Sequence, residues 1–266
     1  MIKILYEDSN ILAIDKPSGL SVHPDGRNKE KTVADWVLKN YPKMKNIGEP
    51  MLIENKGKQI KIERPGVVHR LDRDTSGVML LAKNQKTHEF LKAQFQNREV
   101  KKTYHTIVSG WFKDERGVIN KKIGRSPSDF RKYSASRGAR GEMRDAVTQY
   151  KVLKRLELWP YEISSRLTRQ NPTGSDTDKK SHKAPALKFT YLEVYPKTGR
   201  THQIRVHMKS VDHPVACDPL YNKDGACPKG LKRMALHALS IEFKDLKGKT
   251  IKVESPLPKE FKSLLR

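Results

Sequence analysis

Residues 69–77, HRLDRDTSG, place two acids and two arginines side by side. Asp72 would stay ionised there, because neighbouring positive charge favours the charged form of a carboxyl group. An ionised carboxylate can act as a nucleophile or as a base. A surface cluster of ion pairs has the same composition, however, so this stretch by itself does not establish an active site.

Hydrophobic patterning indicates how the stretch around Asp72 would be held. Short apolar runs at residues 67–68 and 78–82 flank it, which predicts a loop between two strands. Loops supported by strands commonly carry reactive groups, because the scaffold fixes their position. A further buried strand is predicted at residues 11–14, where Lys-Pro-Ser-Gly follows and ends it.

Two helices and two more strands are predicted around this loop. Thr32 and Asp35 fit a capping box, and apolar residues at helical spacing follow them. A second helix is predicted at residues 87–97, and strand composition is found at residues 104–111 and 187–195.

The pattern of residues 201–208 is ambiguous. Apolar positions at helical spacing favour a helix capped by Thr201, although the alternation of the same residues also permits a strand. We expect the helix. Short strands that alternate with helices predict an α+β fold with flanking helices and loops around a mixed, mostly antiparallel sheet.

The charge of the chain points to a polyanionic partner. The 266 residues include 54 Lys and Arg against 30 Asp and Glu, a net charge of +24. This excess exceeds what solubility requires and predicts attraction to nucleic acid, although a generally lysine-rich surface is the plainer alternative.

Three segments stand out by composition. Residues 113–144 are rich in Lys and Arg and could grip RNA, although a solvated basic loop explains them equally well. Residues 43–65 are largely polar and predict a surface excursion. Residues 169–183 lack aliphatic and aromatic side chains, so a mobile insertion is predicted there. We expect residues 1–266 to form a single domain that includes the surface excursion at residues 43–65 and the insertion at residues 169–183.

The cysteines and histidines show no metal-binding spacing. Cys217 and Cys227 form no Cys-x-x-Cys pair, so reduced thiols and no metal site are expected. The first residues lack the apolar centre of a signal peptide, and no run of membrane length occurs. A soluble, cytoplasmic protein is expected.

The sequence resembles the RluA-type pseudouridine synthases. Residues 69–83, HRLDRDTSGVMLLAK, are similar to the catalytic-loop motif of that family. Similar blocks follow the family's order through nearly the whole chain, at residues 5–24, 100–110, 198–208, 213–221 and 235–243. The chain departs from the pattern at Thr106, Asp212 and Cys217, none of them a catalytic position of the family. An S4-type domain ahead of the opening block is not expected.

This resemblance implies a catalytic trio and an isomerase. Asp72 matches the catalytic aspartate, Tyr104 the tyrosine that stacks on the target base, and Arg205 the arginine that pairs with the aspartate. The implied reaction converts uridine in a structured ribosomal or transfer RNA to pseudouridine, in an active-site cleft across the sheet. Asp72 could attack the ribose C1′, attack C6 of the base, or remove the ribose 2′ proton, and all three routes stay open. No cofactor or metal is expected.

The resemblance also suggests which residues surround the flipped-out uridine. Arg70 would help to fill the space that the base leaves, and Leu236 would pack under the base. His69 and Thr75 would shape the catalytic loop. The remaining expected RNA contacts are Arg200 and His202.

Two other functions are compatible with parts of this sequence. A catalytically silent RNA-binding or ribosome-assembly factor could share the fold, although it would have no need to keep the whole trio. A metal-dependent nuclease that uses Asp72 and Asp74 is disfavoured, because Arg70 and Arg73 would repel a divalent ion. A monomer without an obligate protein partner is expected.

Overall fold

The computed structural model describes residues 2–24, 30–55, 58–136, 138–158, 186–223, 225 and 227–266. Its strands are β1 (Lys3–Glu7), β2 (Ile11–Lys16), β3 (Met51–Asn55), β4 (Lys58–Ile62), β5 (Ser76–Ala82), β6 (Lys101–Ser109), β7 (Arg116–Asn120), β8 (Ile123–Arg125), β9 (Tyr133–Ser134), β10 (Arg140–Arg144), β11 (Val147–Leu158), β12 (Leu187–Pro196), β13 (Leu236–Lys244) and β14 (Thr250–Glu254). Its helices are α1 (Val33–Asn40), α2 (Gln85–Gln96), α3 (Gln203–Lys209) and α4 (Lys259–Leu265), with a 3-10 turn at Pro42–Met44.

One large sheet organises the described part of the chain. Its strands lie in the order β1-β2-β5-β13-β6-β12-β11-β7, and β14 pairs with β13. The β5–β13 pair is parallel and the other pairs in this sheet are antiparallel. The prediction of an α+β fold around a mixed, mostly antiparallel sheet is therefore confirmed.

The central strands are the apolar runs of the sequence. β2 and β5 are buried along almost their whole length, because other elements cover both faces of the sheet there. The predicted strands at residues 11–14, 78–82, 104–111 and 187–195 correspond to β2, β5, β6 and β12. Before the loop that carries Asp72, Val67 makes only an isolated bridge to Leu81, so the strand expected there is not formed.

The first two helices each begin after a capping residue, of which the sequence predicted Thr32 and not Asn84. Thr32 caps α1 as part of a capping box, in which its backbone N–H donates to the Asp35 carboxylate at 2.8 Å. Asn84 caps α2, where its side-chain oxygen accepts from the Thr87 N–H at 2.9 Å. The observed range of α2 is close to the predicted one: the helix begins two residues earlier and ends one residue earlier than predicted.

The helix predicted at residues 201–208 is formed as α3, from Gln203 to Lys209, but Thr201 is not its cap. The residue before α3 is His202, which has a left-handed backbone with φ of 56° and makes no side-chain cap. Gln203 accepts from the Arg200 N–H at 3.0 Å instead, so the first residue of the helix organises the turn that precedes it.

The two polar segments contain more regular structure than expected. The excursion at residues 43–65 includes the β3–β4 hairpin. Within the basic segment, β7 joins the main sheet, and β8, β9 and β10 form a separate three-stranded sheet, so this segment is not merely a solvated loop. The predicted insertion at residues 169–183 lies outside the described residues.

The expectation of reduced thiols is wrong. Cys217 and Cys227 form a disulfide, with their Cα atoms 5.1 Å apart. The chain turns back directly after Cys217, where the Asn222 N–H donates to the Asp218 carbonyl, and no spacing motif in the sequence reveals this proximity.

The described residues contain neither a membrane-spanning helix nor a metal-binding cluster. None of the helices in this part of the chain is long and apolar enough to cross a membrane. The same residues hold no group of three or more His, Cys, Asp and Glu arranged to bind a metal ion.

Candidate active site

The loop that carries Asp72 is held from below by the parallel β5–β13 pair. The Thr75 N–H donates to the Asp72 carbonyl at 3.1 Å, which closes a turn before β5. Gly77 has φ of 118°, and a Cβ atom at this position would lie 2.1 Å from the Ala238 carbonyl oxygen. Only glycine fits this close approach, so the backbone beside the loop is fixed against β13.

A buried hydrogen bond supports the same junction. The Ser76 hydroxyl and His237 Nδ1 lie 2.8 Å apart, and both residues are buried. Burial lowers the pKa of His237 to about 4, so its ring is neutral near pH 7 and serves as a structural partner.

Lys16 fastens the loop from its other side. Its fully buried ammonium donates to the carbonyls of Pro17, Leu20 and Arg73 at 2.8 to 2.9 Å. Burial lowers the pKa of Lys16 to about 7, while the charges of Asp72 and Asp74 act in the opposite direction. Because one acceptor is the Arg73 carbonyl, Lys16 ties the end of β2 to the residue after Asp72.

Arg205 joins Asp72 to a second carboxylate. Its Nη1 lies 3.2 Å from Asp72 Oδ2, while its Nε and Nη2 donate to the two oxygens of Asp218 at 2.7 and 2.8 Å. The side chains of Arg205, Asp218 and Asp72 are 3%, 0% and 19% exposed. Asp218 therefore holds the buried guanidinium, and Arg205 presents its remaining edge to the more accessible Asp72.

The electrostatics of this trio follow from burial and pairing. Burial acts to lower the pKa of Arg205, but the hydrogen bonds and charge of Asp218, aided by Asp72, raise it overall. Arg205 is therefore a permanent cation. Asp218 also accepts the backbone N–H groups of Leu220 and Tyr221 at 2.9 and 3.0 Å.

Tyr104 and Leu236 come from neighbouring strands and face Asp72. In the β13–β6 register, Tyr104 pairs with Ala238, while Leu236 pairs with Thr106. Burial, with a contribution from the negative charge of Asp72, raises the pKa of Tyr104. Its phenol is therefore protonated at neutral pH.

A cavity of about 530 Å³ lies above these groups. Its volume falls within the roughly 300 to 1,000 Å³ typical of small-molecule sites. Most of the predicted site residues line it: His69, Arg70, Asp72, Thr75, Tyr104, Arg200, His202 and Leu236. Arg205 is not among the lining residues, since it reaches Asp72 from beneath.

The cavity wall is strongly basic. Its cations are Arg70, Arg98, Lys102, Lys197 and Arg200, and Asp72 is the one acid among the lining residues that the structure describes. Burial lowers the pKa of Lys102 to about 8, which is high enough to keep it mostly charged at pH 7. The wall thus offers several partners to phosphate groups around a single carboxylate.

Three predicted site residues have visible structural partners. His69 Nε2 accepts from the Leu80 N–H at 2.9 Å, and its ring stacks on Phe95. Burial lowers the pKa of His69 to about 3, so the ring is neutral and positions the loop. Arg70 is exposed, with Nη1 3.3 Å from His23 Nε2. Thr75 is buried beside the turn.

The other two expected RNA contacts, Arg200 and His202, also line the cavity. Arg200 Nε donates to the Asp145 carbonyl at 3.1 Å. His202 Nδ1 lies 2.9 Å from the Tyr221 hydroxyl, and burial lowers the pKa of His202 although Asp72 opposes this shift.

Sequence reasoning missed Asp218, Lys16 and Tyr221 as parts of the site. Tyr221 places its ring 5.0 Å from the Arg205 guanidinium. Asp218 and Tyr221 belong to a block that resembled the family, but nothing in their spacing links them to Arg205. In the sequence, Lys16 indicates only the start of the Lys-Pro-Ser-Gly turn that ends a strand.

Comparison with known proteins identifies the class. The family model described as RNA pseudouridylate synthase matches residues 10–210, and the chain therefore belongs to this family of RNA uridine isomerases. The predicted membership of the RluA type is confirmed.

Curated relatives give the same assignment over most of their length. An RNA pseudouridine synthase of Aquifex aeolicus is 36% identical over 99% of this chain and 72% of its own length. The ribosomal large subunit pseudouridine synthase D of Borreliella burgdorferi is 34% identical over 98% of this chain and 66% of its own.

A solved structure supports the fold. The human RNA pseudouridylate synthase domain containing 4 protein has a TM-score of 0.64 and 26% identity, covering 98% of this chain and 91% of its own.

Proposed function

We propose that this protein converts specific uridines of ribosomal RNA to pseudouridine, with Asp72 as the catalytic carboxylate. The choice of ribosomal RNA is supported by relatives named ribosomal large subunit pseudouridine synthase D in several bacteria. The basic cavity wall suits a substrate that carries phosphate on both sides of the target nucleotide.

The contact between Asp72 and Arg205 carries the assignment of the catalytic residue. Arg205 is buried and cannot leave its position, so its 3.2 Å contact aims the Asp72 carboxylate into the cavity. Tyr104 and Leu236 supply an aromatic and an aliphatic surface beside it, between which a uracil ring can be held.

The target uridine has to leave its helix to reach Asp72. The Asp72 side chain is only 19% exposed, and the cavity that it lines has a volume of about 530 Å³, room for a nucleotide and not for a duplex. Flipping a nucleotide out of its stack costs a few kcal/mol, which favours loops and weakly paired sites. We assign to Arg70, which is exposed and lines this cavity, the role of occupying the space that the base leaves.

The reaction balances without any further reactant. The bond from C1′ to N1 breaks, the bond from C1′ to C5 forms, C5 loses a proton, and N1 gains one. Because its phenol is protonated at neutral pH, Tyr104 is not available as a general base in the resting enzyme. Its role here is to stack on the base and to donate a hydrogen bond while Asp72 performs the covalent or proton-transfer step.

Asp72→Asn tests the proposal, with Asp74→Asn as the matched control from the same loop. RNA from cells that lack the gene is incubated with each variant, without added metal or nucleotide, and pseudouridine is mapped by chemical labelling. Wild type and Asp74→Asn should modify the same uridines of ribosomal RNA, while Asp72→Asn should modify none. RNA affinity should survive in Asp72→Asn, because it rests mainly on phosphate contacts.

The other outcomes are each decisive. Binding without modification by the wild type would identify a silent RNA-binding factor, and cleavage would identify a nuclease. Modification of transfer RNA alone would refute the choice of ribosomal RNA. Normal turnover by Asp72→Asn would refute the catalytic assignment.

A further inference from the structure

An unusually exposed aromatic side chain lies at the tip of the small sheet formed by β8, β9 and β10. Phe130, in the turn between β8 and β9, is 71% exposed, more than any other large hydrophobic residue in the described part of the chain. Single exposed apolar residues are common on protein surfaces, so exposure alone assigns no role.

The turn that presents Phe130 is well ordered by hydrogen bonds. The Arg125 guanidinium donates to the Phe130 carbonyl at 3.2 Å, and the Ser126 N–H donates to the Lys132 carbonyl at 3.0 Å. The Arg131 guanidinium donates two hydrogen bonds to the Asp129 carboxylate, at 3.0 and 2.9 Å, and the Arg131 backbone N–H donates a third at 2.9 Å. The ring is therefore held outward on a preorganised turn, which lowers the entropic cost of binding through it.

The surroundings of Phe130 are basic. Arg125 packs over the Tyr133 ring at 4.8 Å, and Lys132 is half-buried beside it. The two acids of this region, Asp129 and Glu142, are each paired with an arginine, so neither offsets the remaining cations. This field favours a polyanion over an ordinary protein surface.

A second basic cavity lies between this small sheet and the catalytic cavity. It measures about 350 Å³ and is lined by Arg125, Arg140, Arg144 and Arg200 together with Glu142. Gly199, Arg200 and Thr201 line both cavities. A chain of phosphates can therefore pass from Asp72 along these arginines toward the Phe130 turn.

Hydrogen bonds fix the small sheet to the active site. The Tyr133 N–H donates to the Tyr221 hydroxyl at 2.9 Å, and that hydroxyl also lies 2.9 Å from His202 Nδ1. Because the Tyr221 ring packs on Arg205, the position of the Phe130 turn is set relative to the catalytic cavity.

We propose that Phe130 stacks on an unpaired base of the substrate RNA, in the strand that flanks the flipped-out uridine, while the second cavity binds the backbone phosphate between them. This inference rests on the proposed function for the identity of the ligand. Stacking on an aromatic side chain is tolerant of sequence, so Phe130 selects for a single-stranded segment at this position and not for a particular base.

The test compares two fluorescein-labelled RNA probes of equal length: a stem-loop with a six-nucleotide loop, and a fully paired duplex. Wild type should bind the stem-loop more tightly than the duplex. Phe130→Ala should weaken stem-loop binding by about tenfold, within the range measured for loss of one stacked base, and leave duplex binding unchanged. Phe130→Trp should retain the preference, and Val118→Ala, at a site 59% exposed on β7, should have no effect.

Salt dependence separates stacking from charge. The slope of log Kd against log salt should be unchanged in Phe130→Ala, since no cation is lost, and should become shallower by about one in Arg140→Ala. Equal stem-loop affinity in Phe130→Ala and wild type would overturn the proposal, as would an equal loss for both probes. These binding measurements need no turnover. If the wild type made no pseudouridine, the proposed function would be refuted, but the dependence of stem-loop binding on Phe130 would still stand.

Discussion

Asp218→Asn tests whether Arg205 is held in place by Asp218 more than by Asp72. Asparagine keeps the shape of the side chain but removes its charge and one of its acceptor oxygens. In either orientation its amide N–H groups would face a donor of the Arg205 guanidinium, and in one orientation they would also face the backbone N–H groups of Leu220 and Tyr221. At least one buried donor would be left without an acceptor.

The expected loss follows from the burial of this pair. Arg205 and Asp218 are 3% and 0% exposed, and removing one partner of a buried ion pair costs about 3 to 5 kcal/mol. Asp72 is 19% exposed and makes a single longer contact, so Asp72→Asn should cost less than about 1.5 kcal/mol. Asp218→Asn should therefore lower stability much more than Asp72→Asn, although only the latter removes the proposed catalytic group.

Urea denaturation followed by circular dichroism measures both losses. Asp245→Asn is the matched control, because Asp245 also accepts two backbone N–H groups, from Lys247 and Lys249, in a turn without a buried arginine. Its loss measures the contribution of the turn alone. Equal losses for Asp218→Asn and Asp245→Asn would refute the assignment of the buried pair, and a larger loss for Asp72→Asn would show that Asp72 is the main anchor of Arg205.

Two further predictions concern the support of the loop. Gly77→Ala should lower the free energy of unfolding by more than about 3 kcal/mol, because its Cβ would meet the Ala238 backbone, while Gly230→Ala, with φ of 91° and open space around it, should lose less than half as much in the same urea titration. Lys16 has a pKa of about 7 in the folded state against about 10.4 in the unfolded chain, so the unfolded state binds the extra proton between these values. Wild type should then gain stability relative to Lys16→Met as the pH rises from 7 to 10, and a flat difference would contradict the burial of the amine as the cause.

The strands could be predicted where burial is continuous, but their order could not. The apolar runs of β2 and β5 show strands directly, since both faces are covered. The parallel pairing of Ser76 with His237 joins residues 161 positions apart, and local periodicity has no information about such a partner.

α3 shows why local pattern left two readings open. Its residues from Gln203 to Met208 are all buried, and the polar ones among them alternate with apolar ones, so the helix lacks the solvent-exposed polar face that would distinguish helical from strand periodicity. Thr201 was a reasonable cap by residue type. The left-handed backbone of His202, which the sequence does not reveal, instead sets the start of the helix.

The candidate site was visible in the sequence only through resemblance. Asp72, Tyr104 and Arg205 lie in three separate blocks, and the cavity brings Asp72 and Tyr104 together with Arg205 beneath them. The sequence does not predict that Asp218 contacts Arg205, because an aspartate before a proline is typical of a turn, and Asp218 does cap a turn. Its second role requires α3 to pack beside that turn.

The arrangement of Arg205 also explains how one arginine can position Asp72 without neutralising it. A guanidinium that made a bidentate ion pair with the catalytic carboxylate would occupy both of its oxygens. Such a carboxylate would be a poor nucleophile or base. Arg205 makes its bidentate ion pair with Asp218 and touches only Oδ2 of Asp72, so Oδ1 has no hydrogen-bond partner among the described residues. In the proposed mechanism, Oδ1 of Asp72 is then the oxygen that faces the substrate. Because two carboxylates share one guanidinium, the three groups together keep the net negative charge that the reaction needs.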